Sequence, residues 1–274
     1  MAQVTILRGL TRTAEATAPS ALQLLVLNLM PNRAQTEQQL AQVLAAGKRP
    51  VALTFCVPDT HHLRHNAAAV RRAYAGFHDI EDQHFDGLII TGAPLDRLAF
   101  QQVDFWPELH RILAWRKTHV TGSLFICWGA YAAGTIDGLF TGQPLTDKIS
   151  GVYTTGGLTM PQSRFFKIPL TSVRRGQIIT GSSALGATFI KDLATNSWYL
   201  AGHLEYQTDT LLAEYQRDCR KDPTTPKPAH YFDQNRQPQN TWRRDAARVY
   251  AGWLQTLVPR RVKALSSGLT YGKE

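Results

Sequence analysis

The chain has 274 residues, of which 43% are hydrophobic and 19% are charged, so it can bury a sizeable core and is not an intrinsically disordered protein. The formal charge is +9, and residues 217–274 hold 12 Lys and Arg against 5 Asp and Glu, which leaves 12 − 5 = +7 in the last fifth of the chain. A protein that coats nucleic acid over its whole surface is therefore disfavoured, although a basic tail is still compatible with this charge.

Cysteine usage and hydropathy indicate the compartment. The three cysteines (Cys56, Cys127 and Cys219) are too scattered for a disulfide framework, and no Cys/His cluster has zinc-ligand spacing. The first twenty residues lack the apolar run of a signal peptide, and no apolar stretch approaches 18 residues. We expect a cytoplasmic protein that holds no metal and does not associate with membranes.

In the first half of the chain, apolar runs of strand length alternate with amphipathic segments. The predicted strands and helices, in chain order, are strand 22–27, helix 36–46, strand 51–57, helix 67–80, strand 85–91, helix 104–117 and strand 123–126. This alternation predicts an α/β fold with an open, mostly parallel sheet and helices on both faces. Active sites in such sheets lie at the carboxyl ends of strands, where the segments Asn28–Pro31, Thr91–Pro94 and Cys127–Ala130 fall.

The second half is less regular. Short strands are predicted at 150–155, 177–181, 187–191 and 197–202, helices at 208–220 and 241–257, and a Pro-rich surface loop at 222–240. No repeat or low-complexity linker divides the chain. We therefore expect residues 1–274 to form a single domain, with an N-terminal extension (1–20) and a C-terminal tail (259–274).

Cys127 has the sequence context of a nucleophile. It follows the apolar run 123–126 and precedes small residues and a predicted helix, which is typical of a nucleophile elbow. The helix N-terminus is expected to lower the pKa of the thiol, and the N–H groups of Trp128 and Ala93 would donate to an oxyanion. The alternative is a structural cysteine, because free cysteines are often buried.

A thiol nucleophile needs a base and a group that orients the base. His203 and Glu205 also follow an apolar run and are two residues apart, so they share one side of an extended segment. The alternative is a surface histidine beside an unrelated acid. The chain order Cys127, His203, Glu205 on an open parallel sheet resembles the arrangement in class I glutamine amidotransferase-like folds.

Several motifs in order resemble one family. They are LNLMPNRAQTE (27–37), FDGLIITGAP (85–94), VDFWPEL (103–109), TGSLFICWGA (121–130), DKISGVY (147–153), SR (163–164), GHLEY (202–206) and PQNTW (238–242). Together they resemble the homoserine O-acyltransferases of the MetA type. The resemblance implies a glutamine-amidotransferase-like fold and transfer of an acyl group from acyl-CoA to the hydroxyl of homoserine through acyl-Cys127. Acetyl-CoA or succinyl-CoA would then be a co-substrate, with no bound cofactor.

The same resemblance implies further site residues. Lys148 matches an active-site lysine, Ser163 and Arg164 match a pair near the substrate, and Arg217 matches an arginine that binds the carboxylate of the amino acid. Nearby basic residues could attract the phosphates of CoA, which explains the basic C-terminal fifth better than nucleic acid binding does. Family members are commonly dimers, so the resemblance also implies a homodimer.

Asp96 bears on the choice of acyl group. At the sixth residue of the TGAP stretch, the family has glycine with succinyl and glutamate with acetyl, whereas this chain has aspartate. A carboxylate near the acyl pocket repels the free carboxylate of succinyl-CoA, which favours acetyl. Aspartate is shorter than glutamate, so the steric part of this argument is weaker.

The sequence departs from the family pattern at Thr154-Thr155, Gln162 and Leu204, and the segment before Ser163 is shorter. These changes leave L-serine open as the acceptor, because one methylene in a pocket is worth only ~1–3 kcal/mol. The chain would then be a serine O-acetyltransferase. A glutamine amidotransferase-like hydrolase using the same three residues is a further alternative.

Overall fold

The computed structural model describes residues 2–14, 16–64 and 66–257, so the predicted tail 259–274 lies outside the described residues. The main sheet has nine strands within these ranges: β1 (Val4–Arg8), β2 (Leu22–Leu27), β3 (Val51–Val57), β4 (Ala75–Gly76), β5 (Phe85–Ile90), β6 (Val120–Ile126), β9 (Gln177–Ser182), β10 (Gly186–Asp192) and β11 (Ser197–Leu200). Their order in the sheet is β1-β3-β2-β5-β6-β11-β10-β9, with β4 beside β3.

The sheet is parallel from β1 to β11 and antiparallel in its last two strands. The predicted open, mostly parallel sheet is therefore confirmed. The segment predicted as an N-terminal extension contributes β1, which pairs with β3 at one edge of the sheet.

Helices cover both faces of the sheet, as predicted. They are α1 (Arg33–Leu44), α2 (Ala67–Ala73), α3 (Trp106–His119), α4 (Trp128–Ile136), α5 (Thr210–Lys221) and α6 (Arg243–Gln255). Trp253 of α6 packs over Gly87 on one face, whereas Arg116 of α3 lies over the ring of Phe125 on the other. None of the helices in the described ranges is long and apolar enough to cross a bilayer.

The helix predicted at 67–80 is shorter than expected. It ends at Ala73 because Tyr74 adopts extended backbone angles and turns its ring into the core, where it packs on Phe55. The Asn28 amide donates to the hydroxyl of Tyr74 at 2.9 Å, which fixes this turn.

A separate antiparallel hairpin is the main feature that the sequence did not predict. It consists of β7 (Gln143–Thr155) and β8 (Leu158–Lys167), joined through Gly156 and Gly157, whose φ angles are 55° and 75°. Both angles lie in the left-handed region that favours glycine, so this pair specifies the turn. The predicted strand 150–155 is only the end of β7, and β8 had no predicted counterpart.

Candidate active site

Four neighbouring parallel strands end at the same edge of the sheet. Leu27 of β2 pairs with Ile90 of β5, and Leu200 of β11 pairs with Ile126 of β6. Because the carboxyl ends of these strands coincide, the residues that follow them meet at one place. The segments that follow β5, β6 and β11 carry Asp96, Cys127 and His203.

Cys127 occupies a sharp turn between β6 and α4. Its φ and ψ angles are 49° and −116°, and its N–H donates to the carbonyl of Leu200 at 2.7 Å. A Cβ atom on Gly129 would lie only 2.5 Å from the carbonyl oxygen of Thr91. The strained turn and the glycine that it requires are those of the predicted nucleophile elbow.

The imidazole of His203 lies beside this thiol. The thiol of Cys127 and the imidazole of His203 are close enough to shift each other's pKa, and Nδ1 of His203 lies 2.6 Å from Oε1 of Glu205. Tyr206 stacks on the imidazole with ring centroids 4.1 Å apart. The structure therefore brings the three predicted catalytic side chains together in the order thiol, imidazole, carboxylate.

All three groups are buried, and burial decides the pKa of the thiol. Burial raises the pKa of Cys127, while the positive charge and hydrogen bond of His203 oppose the rise. The expectation that the helix N-terminus leaves a lowered thiol pKa is therefore wrong, because desolvation of a thiolate on a residue that is 2% exposed outweighs the nearby positive charges of His203 and Arg164. Burial by itself would lower the pKa of His203, but the charges of Cys127 and Glu205 raise it well above its usual value.

The two expected oxyanion donors flank the thiol. Trp128 directly follows Cys127 and is the first residue of α4, where N–H groups have no partner within the helix. Ala93 follows Gly92, on which a Cβ atom would lie 3.3 Å from Cβ of Cys127 and 3.0 Å from Cε1 of His203. A side chain at Gly92 would be tight against both residues, so the glycine lets the backbone of this loop lie close to the thiol and the imidazole.

Strand β8 crosses over the site and positions Ser163 and Arg164. The carbonyl of Pro161 accepts the N–H of His203 at 2.9 Å, and the carbonyl of Ser163 lies 3.9 Å from Sγ of Cys127. The unpredicted strand thus forms one wall of the site.

Ser163 and Arg164 have different environments. The Ser163 hydroxyl donates to Glu214 at 2.6 Å and faces helix α5. Arg164 is fully buried and donates to Oε1 of Gln162, to the carbonyl of Phe166 and to the carbonyl of Leu185. Burial lowers the pKa of Arg164 to about 10. The guanidinium is therefore held by protein groups behind the thiol and supplies positive charge there.

Lys148 and Arg217 are brought to the same carboxylate. Nζ of Lys148 lies 2.7 Å from Oδ2 of Asp218, and Nε of Arg217 donates to Oδ1 of Asp218 at 2.9 Å. No sequence motif singled out Asp218. Its position, one residue after a candidate substrate-binding arginine on an amphipathic helix, was the only available signal.

Glu214 was also missed by the sequence analysis. Its two carboxylate oxygens accept the hydroxyls of Ser163, at 2.6 Å, and of Tyr206, at 2.8 Å. Glu214 and Arg217 are three residues apart on α5, so both lie on the helix side that faces the hairpin and His203. Helix α5 thus supplies both signs of charge to the site.

Asp96, in the loop after β5, contacts strand β8 beside the site. Its Oδ2 accepts the N–H of Phe165 at 2.9 Å, which ties the loop after β5 to β8. Burial raises the pKa of Asp96, although the Phe165 N–H and the charges of His203 and Lys148 lower it in part. In the described ranges, no group of three or more His, Cys, Asp or Glu side chains could hold a metal ion.

Comparison with known structures places the fold. A glutamine amidotransferase from Thermotoga maritima superposes with a TM-score of 0.52 at 12% identity, over 86% of this chain and 96% of that one. A glutamine amido transferase from Methylobacillus flagellatus superposes with a TM-score of 0.52 at 13% identity, over 89% of this chain and 97% of that one. At these identities the likeness concerns the fold alone, and it confirms the predicted glutamine-amidotransferase-like class.

Comparison with known sequences places the family. A homoserine O-acetyltransferase from Leuconostoc mesenteroides is 41% identical over 266 residues, which cover 92% of this chain and 87% of that protein. A homoserine O-succinyltransferase from Pseudoalteromonas translucida is 35% identical over 258 residues, covering 86% of this chain and 82% of that protein. The family model described as homoserine O-succinyltransferase matches residues 3–263. The chain therefore belongs to the homoserine O-succinyltransferase family.

Proposed function

We propose that this protein transfers an acyl group, with acetyl favoured over succinyl, from acyl-CoA to the hydroxyl of L-homoserine through an acyl-Cys127 intermediate. The observation that carries the proposal is that the loop residue Gly92 lies against both Cys127 and His203, so the thiol and the imidazole share one place, while Nδ1 of His203 is held 2.6 Å from Glu205. Relatives named homoserine O-acetyltransferase and O-succinyltransferase over most of the chain support the substrate class. Such a product would serve methionine or other sulfur amino-acid biosynthesis in the cytoplasm.

The first half-reaction acylates the thiol. His203 takes the proton of Cys127, and the thiolate attacks the thioester carbonyl of acyl-CoA. The N–H groups of Trp128 and Ala93 are the candidate donors to the oxyanion, and the buried guanidinium of Arg164 adds positive charge near the sulfur. The C–S bond to CoA then breaks, His203 returns the proton to the CoA thiolate, and acyl-Cys127 remains.

The second half-reaction transfers the acyl group. His203 removes the proton from the acceptor hydroxyl, the oxygen attacks the acyl-Cys carbonyl, and the C–S bond to Cys127 breaks as the thiol regains a proton. Glu205 holds the imidazole in the tautomer that accepts this proton at Nε2. Arg217 and Lys148 are the candidate partners of the acceptor carboxylate, and Ser163 is the candidate residue beside its reacting end.

Asp96 supports acetyl as the acyl group. Its carboxyl group lies close enough to Cys127 and His203 to affect the pKa of the thiol and to have its own pKa lowered by the histidine. An acyl chain attached to Cys127 would therefore extend into a region that already holds an acid. A second carboxylate, as in a succinyl group, is disfavoured there.

L-Serine is the competing acceptor, and the structure weakens one of the arguments for it. The hydroxyls of Thr154 and Thr155, which depart from the family pattern, bond to Thr159 and Thr188 instead of facing Cys127. Gln162 bonds to Arg164 and replaces a family histidine without leaving the buried wall of the site. Homoserine is thus favoured as the acceptor. The alternative from another class of enzyme is a glutamine amidotransferase-like hydrolase.

A turnover matrix tests the proposal. Acetyl-CoA and succinyl-CoA are each combined with L-homoserine and L-serine, glutamine hydrolysis is assayed in parallel, and Cys127→Ala is the control. We expect the highest kcat/KM for acetyl-CoA with homoserine and an intact mass increase of one acetyl group that Cys127→Ala abolishes. Full activity of Cys127→Ala, or glutaminase activity without acyl-CoA turnover, would contradict the proposed reaction.

The organisation of the chain is part of the proposal. We infer one acyltransferase domain over residues 1–274, which is supported by a single buried cluster that contains residues from Ile6 to Leu257. We also propose that the protein binds small-molecule substrates and that it binds neither nucleic acid nor membranes. Size-exclusion chromatography with light scattering tests the homodimer that the family resemblance implies.

A further inference from the structure

Lys148 lies in a stretch of β7 where regular strand pairing does not fix the position of the residue. The pairing of β7 with β8 shifts register between Pro144 and Ile149, and Lys148 falls inside this irregular stretch. A lysine side chain has four rotatable bonds and loses considerable conformational entropy when it is held in one place. Some other group must therefore hold the ammonium at the site.

Asp218 is that group. Its Oδ2 lies 2.7 Å from Nζ of Lys148, and its Oδ1 lies 2.9 Å from Nη2 of Arg217 and accepts from Nε as well. One carboxylate thus spans the gap between the hairpin and α5. The side chains of Lys148 and Asp218 are only 17% and 21% exposed, so water screens this contact less than it screens a surface ion pair.

We propose that Asp218 is a positioning residue that joins Lys148 and Arg217 into one carboxylate-binding unit for the amino-acid acceptor. The Asp218 carboxylate uses Nε and Nη2 of Arg217 and one donor of Lys148, so Nη1 of the guanidinium and the other ammonium hydrogens are not used by Asp218. An acceptor carboxylate bound there is shared by both cations. This inference rests on the proposed function, because it assumes that the second substrate carries a carboxylate.

The charge state of Asp218 fits this role. Burial raises its pKa, but the hydrogen bond and charge of Lys148, together with Arg217, outweigh burial and hold the pKa below its usual value. The other charged groups near this ion-pair cluster are Glu214 of α5, near Arg217, and Asp96 of the loop after β5, near Lys148. Asp218 is therefore ionised at neutral pH, where its negative charge keeps both cations in place.

A repulsive role and a positioning role for Asp218 predict opposite changes in the KM for the acceptor, so one measurement distinguishes them. If Asp218 only added negative charge near the site, it would repel the acceptor carboxylate, and Asp218→Asn would lower the KM for the acceptor. If it positions the two cations, the same variant raises that KM. If Asp218 only supported the fold elsewhere, Asp218→Asn would not change the KM for the acceptor without a similar change in the KM for acetyl-CoA.

The experiment compares Asp218→Asn with Asp222→Asn in the full chain. Asp222, which follows α5, accepts from Thr224 and is the matched control for loss of one carboxylate from this helix. For Asp218→Asn we expect the KM for homoserine to rise about tenfold or more, since charge-assisted contacts are lost. We expect the KM for acetyl-CoA and the amount of acetyl-Cys127 seen by intact mass to stay within about twofold of the parent values.

A double-mutant cycle keeps the inference testable if one variant folds poorly. Lys148→Met, Asp218→Asn and the double variant are compared by homoserine KM, with circular dichroism as the folding check. Effects that are not additive support a shared unit, whereas additive effects, or an unchanged or lower KM in Asp218→Asn, overturn the inference. Absence of acetyl-Cys127 in the parent enzyme would instead count against the proposed function itself, so the two failures are distinguishable.

Discussion

The Nδ1 atom of His203 lies 2.6 Å from Oε1 of Glu205, and both side chains are buried. Once Cys127 is acylated, the sulfur carries no charge, so Glu205 is then the nearest group that stabilises a protonated imidazole. The order of the three side chains thus explains why an acid is needed behind a histidine that must accept a proton in the second half-reaction.

Glu205→Gln is expected to reduce kcat by roughly 10²-fold to 10⁴-fold. Burial acts to lower the pKa of His203, and the charges of Cys127 and Glu205 raise it, so removing the Glu205 charge lowers this pKa. The acidic limb of the pH–rate profile should therefore move to lower pH. Glu81→Gln, which removes only an exposed contact to Arg111 at 3.4 Å, is the control. An unchanged profile would contradict the role of Glu205.

Gly129→Ala is expected to disrupt the turn that carries Cys127. Its Cβ would lie 2.5 Å and 2.7 Å from the carbonyl oxygens of Thr91 and Ile90, which are backbone atoms and cannot move independently. We expect a lower urea midpoint and strongly reduced acylation of Cys127.

Gly252→Ala is the matched control for that substitution. Gly252 is half-buried in helix α6, and the added Cβ would meet only Trp198, at the ordinary van der Waals distance of 3.5 Å. Alanine is a better helix former than glycine by up to ~1 kcal/mol, so this variant should be as stable as the parent or more stable. Equal behaviour of the two variants would refute the steric account.

Asp96 is expected to make acyl selectivity depend on pH. Burial raises its pKa, so the carboxyl group becomes neutral at a higher pH than an exposed aspartate does. As the pH falls, repulsion of the succinyl carboxylate weakens, and the ratio of kcat/KM for succinyl-CoA to that for acetyl-CoA should rise.

Asp96→Asn isolates this effect. The variant should raise the succinyl-to-acetyl ratio by about tenfold at neutral pH, equivalent to ~1.4 kcal/mol, and flatten its pH dependence. Asp104→Asn, which removes a carboxylate paired with His61, should leave the ratio unchanged. A ratio that stays constant in Asp96→Asn would show that the acid does not select the acyl group.

Arg164→Met is expected to destabilise the protein and also to slow the reaction. The substitution leaves the Gln162 amide oxygen and the carbonyls of Phe166 and Leu185 without their donor, and a buried unpaired acceptor costs about 1–3 kcal/mol. We expect a loss of roughly 3 kcal/mol or more in the free energy of unfolding, measured by urea denaturation. Arg174→Met, which removes an exposed bond to Thr141, should change stability by less than about 0.5 kcal/mol.

The sequence by itself determined the central strands of the sheet and the residues that follow them. Apolar runs separated by amphipathic helices dictate parallel strands, and such strands end at one edge, so Cys127 and His203 could be expected to meet. The resemblance of the motifs then pointed to Lys148, Ser163 and Arg217 before any contact was known. These inferences depend on local pattern and chain order, both of which the sequence contains.

Only the tertiary structure decided what surrounds the thiol. Strand β8 and helix α5 reach the site from distant parts of the chain, and their contacts have no local signal, so Glu214 and Asp218 were missed. Burial of Cys127 likewise depends on every element packed around it, which is why its pKa is raised although the helix N-terminus alone suggested the reverse. Desolvation and long-range ion pairing are properties of the assembled fold, and no short segment of sequence encodes them.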